Sequence, residues 1–387
     1  MIVRVLHNYV ATMFFLGASL AFYCSFSNYH HAQFSSDWTP TFFGYVSLVT
    51  FTTSHVLTAL FVVYAIFLLP YYWYTGVQAT RAMICYRYLA DVWRFGRFRS
   101  VQVAEHQAFL SLLLKFFFVP FIVDASIGHF AGLNNMLLSA HQVLNSGEGY
   151  LFTFDRLLHP LLMNLIFLFD LVPFFVGYLV DVPLLRNKLI SVESTLLGWV
   201  VCLACYPPFN GAVGDFLSFT TGDFSNWGPS FPVLHIVSNL ALLVLFGLYA
   251  SVSVSLGWKA SNLTSRGVVQ TGLYRYIRHP AYVCKNAAWW VAAIPVFYHQ
   301  FQTSAYVACM SMLCLAGWTS IYVMRAITEE RHLLRSDPVY AEYCKLVPRQ
   351  FLPALSRPRR GNVSCPVDGT VMQLVRPVDD RSVVVAA

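Results

Sequence analysis

Five side chains of unlike chemistry crowd into one short stretch. Tyr274, Arg275, Arg278, His279 and Tyr282 lie within G-L-Y-R-Y-I-R-H-P-A-Y, residues 272–282, and a paired acid, Glu329-Glu330, follows about fifty residues later. Guanidinium and imidazole groups next to hydrocarbon are costly, so they are kept for a task or held at a membrane surface. The Pro280 ring prevents a helix from continuing through His279 and pushes that residue to an extended conformation. A helix can start just after, with Pro280 in its first turn. Arg278 and His279 then stand at a helix N-terminus, where free backbone N–H groups favour an anion. Arg325 and Glu329 are four residues apart, which puts them on one helix face where they could pair.

The combination G-x-Y-R-Y-x-R-H-P-x-Y, then an apolar helical hairpin, then E-E-x-x-L-x-x-x-x-x-x-Y-x-x-Y, resembles the integral-membrane methyltransferases. That group includes isoprenylcysteine carboxyl methyltransferases and phospholipid N-methyltransferases. The resemblance covers roughly residues 235–353, under a third of the chain. It implies S-adenosylmethionine as cofactor and maps His279, Pro280, Tyr282, Glu329 and Glu330 onto the cofactor-binding motif. Methyl transfer needs a nucleophile aligned with the methyl of a sulfonium, and proximity and orientation can supply most of the effect. Arg275 or Arg278, with the helix N-terminus, suits the cofactor carboxylate, and Tyr274 belongs to the same polar knot. Glu329 or Glu330 suits its ammonium or ribose. Tyr282, Trp289 and Trp290 could face the adenine or the sulfonium. Arg325 is expected to orient an acceptor carboxylate, working beside Glu329. A carboxylate is already ionised near neutrality, whereas an amine acceptor would have to lose a proton.

These residues must be held by a membrane scaffold. The chain has 387 residues, 57% of them hydrophobic and only 11% charged, with a mean hydropathy of +0.57. Soluble domains carry about 25% charged residues, so an all-α, polytopic membrane protein is expected. Apolar runs at 9–26, 41–74, 105–125, 161–180, 191–206, 231–258, 284–298 and 304–324 predict eight transmembrane helices. Of 25 Lys and Arg, 22 fall in alternate loops on one side and only Arg156 in an opposite loop. The positive-inside rule makes that side cytoplasmic, with both termini there and the cofactor pocket formed by the C-terminal helices. The membrane would be the inner membrane of a bacterium, or the endoplasmic reticulum where organelles exist. The expected divisions are residues 1–190, a region of about four helices without an assigned role; 191–355, methyltransferase-like; and 356–387, a disordered cytoplasmic tail.

The remaining features weigh against other classes. The net charge of +7 follows membrane topology and does not point to nucleic acid. From Arg81 to Arg99, five arginines alternate with Trp93, Phe95 and Phe98, as suits a helix lying on anionic lipid headgroups. Cys202-x-x-Cys205 has no second Cys or His pair nearby, so no metal site is expected. Asp170 is an intramembrane acid, read as hydrogen-bonded between helices. A transporter would use Asp170, Lys115 and His235 as a polar path, but the chain shows no inverted repeat. A sterol-reductase-like NADPH enzyme would need an Asn before the motif tyrosine, where this chain has Ala281. The residues after Tyr282 read Val283-Cys284-Lys285, where many relatives of the resembled group carry a small residue.

Overall fold

The computed structural model describes residues 1–35, 41–42, 45–46, 50–96, 101–218 and 222–351. The protein is an all-α, multi-pass membrane protein. Six helical segments among the described residues are long and apolar enough to cross a bilayer: Ile2–Phe26, Thr53–Thr75, Val103–Leu144, Tyr150–Leu179, Pro232–Lys259 and Ala305–Ser336. The described residues form two compact units, one of Met1–Ile127 with Phe175–Val192, the other of Gly128–Phe174 with the described chain from Glu193 to Phe351.

The first unit contains α1 (Ile2–Ala21), α2 (Asn28–Phe34), α3 (Thr53–Thr75), α4 (Arg81–Phe95) and the start of α5 (Val103–Leu144). Helix α3 begins at a capping box, in which Thr52 Oγ1 accepts from His55 N at 3.2 Å and Thr52 N donates to His55 Nδ1 at 3.3 Å. It ends at Gly76, whose φ of +61° suits glycine. Helix α4 is capped by Thr80, which accepts from Met83 N at 3.0 Å. The buried Thr80 N–H in turn donates to Asn8 Oδ1 at 2.7 Å, so a side chain on α1 fixes where α4 starts. Asn8→Ala leaves that N–H without an acceptor and is expected to destabilise the unit by about 1–3 kcal/mol. Thermal unfolding of detergent-purified protein reads the loss as a lower midpoint.

Two expectations for this unit are corrected. The run at 41–74 is not one overlong helix, because α3 starts only at Thr53 and Thr41–Phe42 pairs with Tyr45–Val46 as a two-residue hairpin. The basic stretch does form a helix, but Arg81 is not free for lipid. It donates to Asp181 at 3.4 Å and to the Leu189 carbonyl at 3.0 Å. Arg87, Trp93, Arg94 and Phe95 are exposed; Arg97, Phe98 and Arg99 lie outside the described residues.

The second unit holds the rest of α5, then α6 (Tyr150–Thr153), α7 (His159–Leu179), α8 (Leu196–Leu203), α9 (Phe209–Phe216), α10 (Pro232–Leu256), α11 (Pro280–Thr303), α12 (Ala305–Ser336) and α13 (Pro338–Leu346). Met163, Leu242, Phe246, Ala288 and Ala292 form its apolar centre, joining α7, α10 and α11. Ala288 and Ala293 are fully buried, and small residues of this kind let helix backbones approach closely in a membrane. This packing explains why residues 128–174 belong with the C-terminal helices and not with the first 190 residues. The stretch 126–160 between the third and fourth expected spans is mostly helical, since α5 runs on to Leu144 and a new helix begins at Tyr150.

The expected fifth span, 191–206, is also corrected. Only Leu196–Leu203 is helical there; eight residues rise about 12 Å, against the about 30 Å of a hydrocarbon core. The chain breaks at Pro207-Pro208, where two residues lack a backbone donor, and resumes as α9. The broken segment follows α12. Arg325 lies 5.3 Å over the Tyr206 ring, and Trp318 Nε1 donates to the Leu217 carbonyl at 3.4 Å. Tyr206, at the break, lines a cavity. Helix α11 is 24 residues long, not fifteen, and α12 continues through Arg325 to Ser336. The 356–387 tail lies outside the described residues.

Candidate active site

Pro280 starts α11, and His279 is its N-cap with φ −122° and ψ 57°, the non-helical geometry that the proline imposes. The loop before it turns at Gly272, where φ is +59° and a Cβ would collide with Ser255 Oγ. Two backbone bonds tie this loop to the chain beyond α13: Arg278 N donates to the Arg349 carbonyl and His279 N to the Gln350 carbonyl, both at 3.0 Å. Tyr343 of α13 donates to the Tyr274 carbonyl at 2.8 Å. The motif is therefore framed on both sides before any ligand is considered.

The paired acids separate. Glu330 is buried and fully engaged. It accepts from Arg278 Nε at 2.6 Å and Nη2 at 3.2 Å, shares a bond with His279 Nε2 at 3.0 Å, and accepts from Gln350 Nε2 at 2.6 Å. The third arm of Arg278 donates to the Val347 carbonyl at 2.8 Å. Burial opposes the Arg278 charge, but the hydrogen bonds and charge of Glu330 outweigh it and raise its pKa above the usual value. Glu329, one residue earlier, accepts from Tyr282 Oη at 2.7 Å and turns to a cavity.

That cavity has a volume of about 110 Å³, below the about 300–1,000 Å³ of usual small-molecule sites. It admits a charged head group; a larger ligand must extend past it or part its walls. Tyr274, Arg278, His279, Tyr282, Lys285, Tyr322, Arg325 and Glu329 line it, with Tyr206, Tyr249 and Asn262. The helical period explains the set. Tyr282 and Lys285 share a face of α11, and Tyr322, Arg325 and Glu329 share the facing stripe of α12. His279 stacks on Tyr282 with centroids 5.5 Å apart and planes 4° from parallel.

Arg325 and Glu329 share a face but do not pair. Tyr282 reaches between them, taking Glu329 by its hydroxyl while its ring lies 5.2 Å from Arg325 Cζ. Arg325 donates instead to Asn262 Oδ1 at 2.5 Å and to Tyr206 Oη at 3.3 Å. Both partners are neutral. Asp170 accepts from Ser253 Oγ and interacts with Tyr249, as expected for an acid hydrogen-bonded between helices.

Of the residues singled out from the sequence, Tyr274, Arg278, His279, Tyr282, Arg325 and Glu329 line the cavity. Glu330 braces it from behind, and Pro280 sets the helix start. Arg275 is exposed and does not reach it, nor do Trp289 and Trp290. The tyrosines at 206, 249 and 322, Asn262 and the cavity position of Lys285 were not anticipated. Helical spacing is the signal that could have found Tyr322 and Lys285, three residues from Arg325 and Tyr282; nothing local marks Tyr206 or Asn262.

No curated protein and no solved structure matches the chain. A family model described as protein of unknown function (DUF1295) matches residues 216–347. The match runs from the last residue of α9 to just past α13, so it takes in the motif, the hairpin and both acids, on the same part of the chain as the methyltransferase-like pattern.

Proposed function

We propose that this chain is an integral-membrane methyltransferase that uses S-adenosylmethionine and acts on a lipophilic acceptor, by O-methylation of an acid such as an isoprenylcysteine-type carboxylate. The observation that carries this reading is the convergence of Tyr282, Glu329 and Arg325 on one cavity. The donor set fits the amino-acid end of the cofactor. Tyrosine rings and the Glu329 carboxylate suit cationic groups, and Arg278 and Arg325 suit carboxylates. When bound, the cofactor supplies an electrophilic methyl on a positively charged sulfur.

The protein's part is to bind and orient. Tyr282 fixes the Glu329 carboxylate, so that its remaining oxygen faces the cavity ready for an ammonium or a ribose hydroxyl. Arg325 is held by neutral partners and keeps an uncompensated charge for the acceptor carboxylate. No general base is required, because that acceptor is ionised near neutrality. The distribution of positive charge supports a site on the cytoplasmic side with both termini there, and we read the membrane as a bacterial inner membrane or the endoplasmic reticulum. Arg87 and Arg94 on α4 would meet anionic lipid headgroups.

The test is transfer of a tritiated methyl group from S-adenosylmethionine to lipid extracted from membranes containing the protein. A methyl ester releases volatile methanol in alkali, whereas an N-methyl group does not. Alkali-labile label is expected. Arg325→Ala should cut it about 100-fold or more, the scale for losing a group that positions a reacting charge. Normal transfer to a carboxylate by Arg325→Ala removes the assigned role, and no label in lipid with wild-type protein contradicts the activity.

A further inference from the structure

Lys285, one turn after Tyr282 on α11, enters the same cavity. Its ammonium lies 5.3 Å from the Trp289 ring centroid, 5.5 Å from Tyr322 and 5.9 Å from Tyr249. Arg325 Cζ is 6.0 Å from the same Tyr322 centroid, so the two charges are at most about 11.5 Å apart. Among the described residues neither cation makes an ion pair. The nearby acids are hydrogen-bonded elsewhere: Asp170, whose charge acts on Lys285 from beyond contact, by Ser253 and Tyr249, Glu329 by Tyr282, and Glu193 by the Thr195 N–H at 2.8 Å.

The two cations repel in this poorly solvated space, and neither is in direct contact with a carboxylate among the described residues. An anion between them relieves both. Aromatic rings hold each cation in place but leave its hydrogen-bond donors available. We propose that Lys285 is a specificity-determining residue that forms, with Arg325, a two-cation clamp for an anionic head group on an apolar chain. The assignment rests on the proposed function for its catalytic meaning, since it selects acid acceptors over lipid amines. As a binding site it can be tested without methyl transfer.

The experiment measures binding of N-acetyl-S-farnesylcysteine, its neutral carboxamide and farnesyl monophosphate to the full chain in nanodiscs. The acid is expected to bind wild-type protein about tenfold or more tightly than the carboxamide. Lys285→Met should bring that ratio close to one, and Lys285→Arg should restore most of it. A Lys285-dependent preference for the phosphate also supports the clamp and names phosphate as the anion. Equal binding of acid and carboxamide by wild-type protein overturns the proposal. So does an unchanged ratio in Lys285→Met, or in Lys285→Gln if the methionine variant does not fold; thermal midpoints report folding. S-adenosylhomocysteine binding in the same samples separates the two ideas. Anion preference without it upholds the clamp and defeats the methyltransferase reading, whereas cofactor binding without anion preference defeats the clamp alone.

Discussion

Glu330→Ala is expected to destabilise the second unit by about 3–5 kcal/mol, the cost of removing one partner from a buried charge pair. Glu330 is 8% exposed at its side chain and receives Arg278, His279 and Gln350 together. Its loss leaves the Arg278 guanidinium, equally buried, without a counter-charge. Those same contacts join the start of α11 to α12 and to the chain beyond α13, so the motif loop loses its frame. At about 2–4 °C per kcal/mol for a unit of this size, the unfolding midpoint should fall by roughly 10 °C. Glu330→Gln keeps the shape and part of the bonding, and should lose less. A midpoint unchanged within a degree in Glu330→Ala would mean that this network does not hold the site together.

Glu329→Ala should behave in the opposite way. Its carboxylate has one protein hydrogen bond, from Tyr282, and otherwise faces the cavity, so its removal leaves no buried cation unpaired. The midpoint should move little. Affinity for S-adenosylhomocysteine should fall about 100-fold, as expected for a charge-assisted contact worth roughly 1.5–3 kcal/mol. Tyr282→Phe, which frees the carboxylate but keeps the ring beside Arg325 and His279, should lose about tenfold, the lower end of the scale for a hydrogen bond to a charged group. Isothermal calorimetry on the variants checks both values. Equal affinity of Glu329→Ala and wild type would remove Glu329 from the cofactor site.

The contrast between these neighbours shows how far sequence can reach. Consecutive residues on a helix point about 100° apart, so Glu329 and Glu330 could not both face one ligand. Which of them faced it depended on Arg278 and Gln350, positioned by an α13 return that no periodicity announces. Pro280 was more informative, because its ring dictates the backbone at His279 wherever it occurs. Arg325 and Glu329 illustrate the limit of spacing rules. A shared face made pairing possible, but a tyrosine from the facing helix intervened. The run at 191–206 was misread as one span because hydropathy registers apolar content and not backbone conformation: Ser191–Val192 is a strand, and the helix starts only after the Thr195 cap. The stretch Val283-Cys284-Lys285 marks a departure from the resembled pattern, but the place of Lys285 in the cavity with Arg325 needed α11 and α12 in register.

The central claim is that the cavity between α11 and α12 binds a methyl donor. Calorimetric titration of S-adenosylhomocysteine into detergent-purified protein, with NADPH titrated in parallel and Glu329→Ala as control, tests it most directly. The account predicts saturable binding of S-adenosylhomocysteine that is lost in Glu329→Ala, and no binding of NADPH. NADPH binding, or no binding of S-adenosylhomocysteine to well-folded wild-type protein, would contradict it.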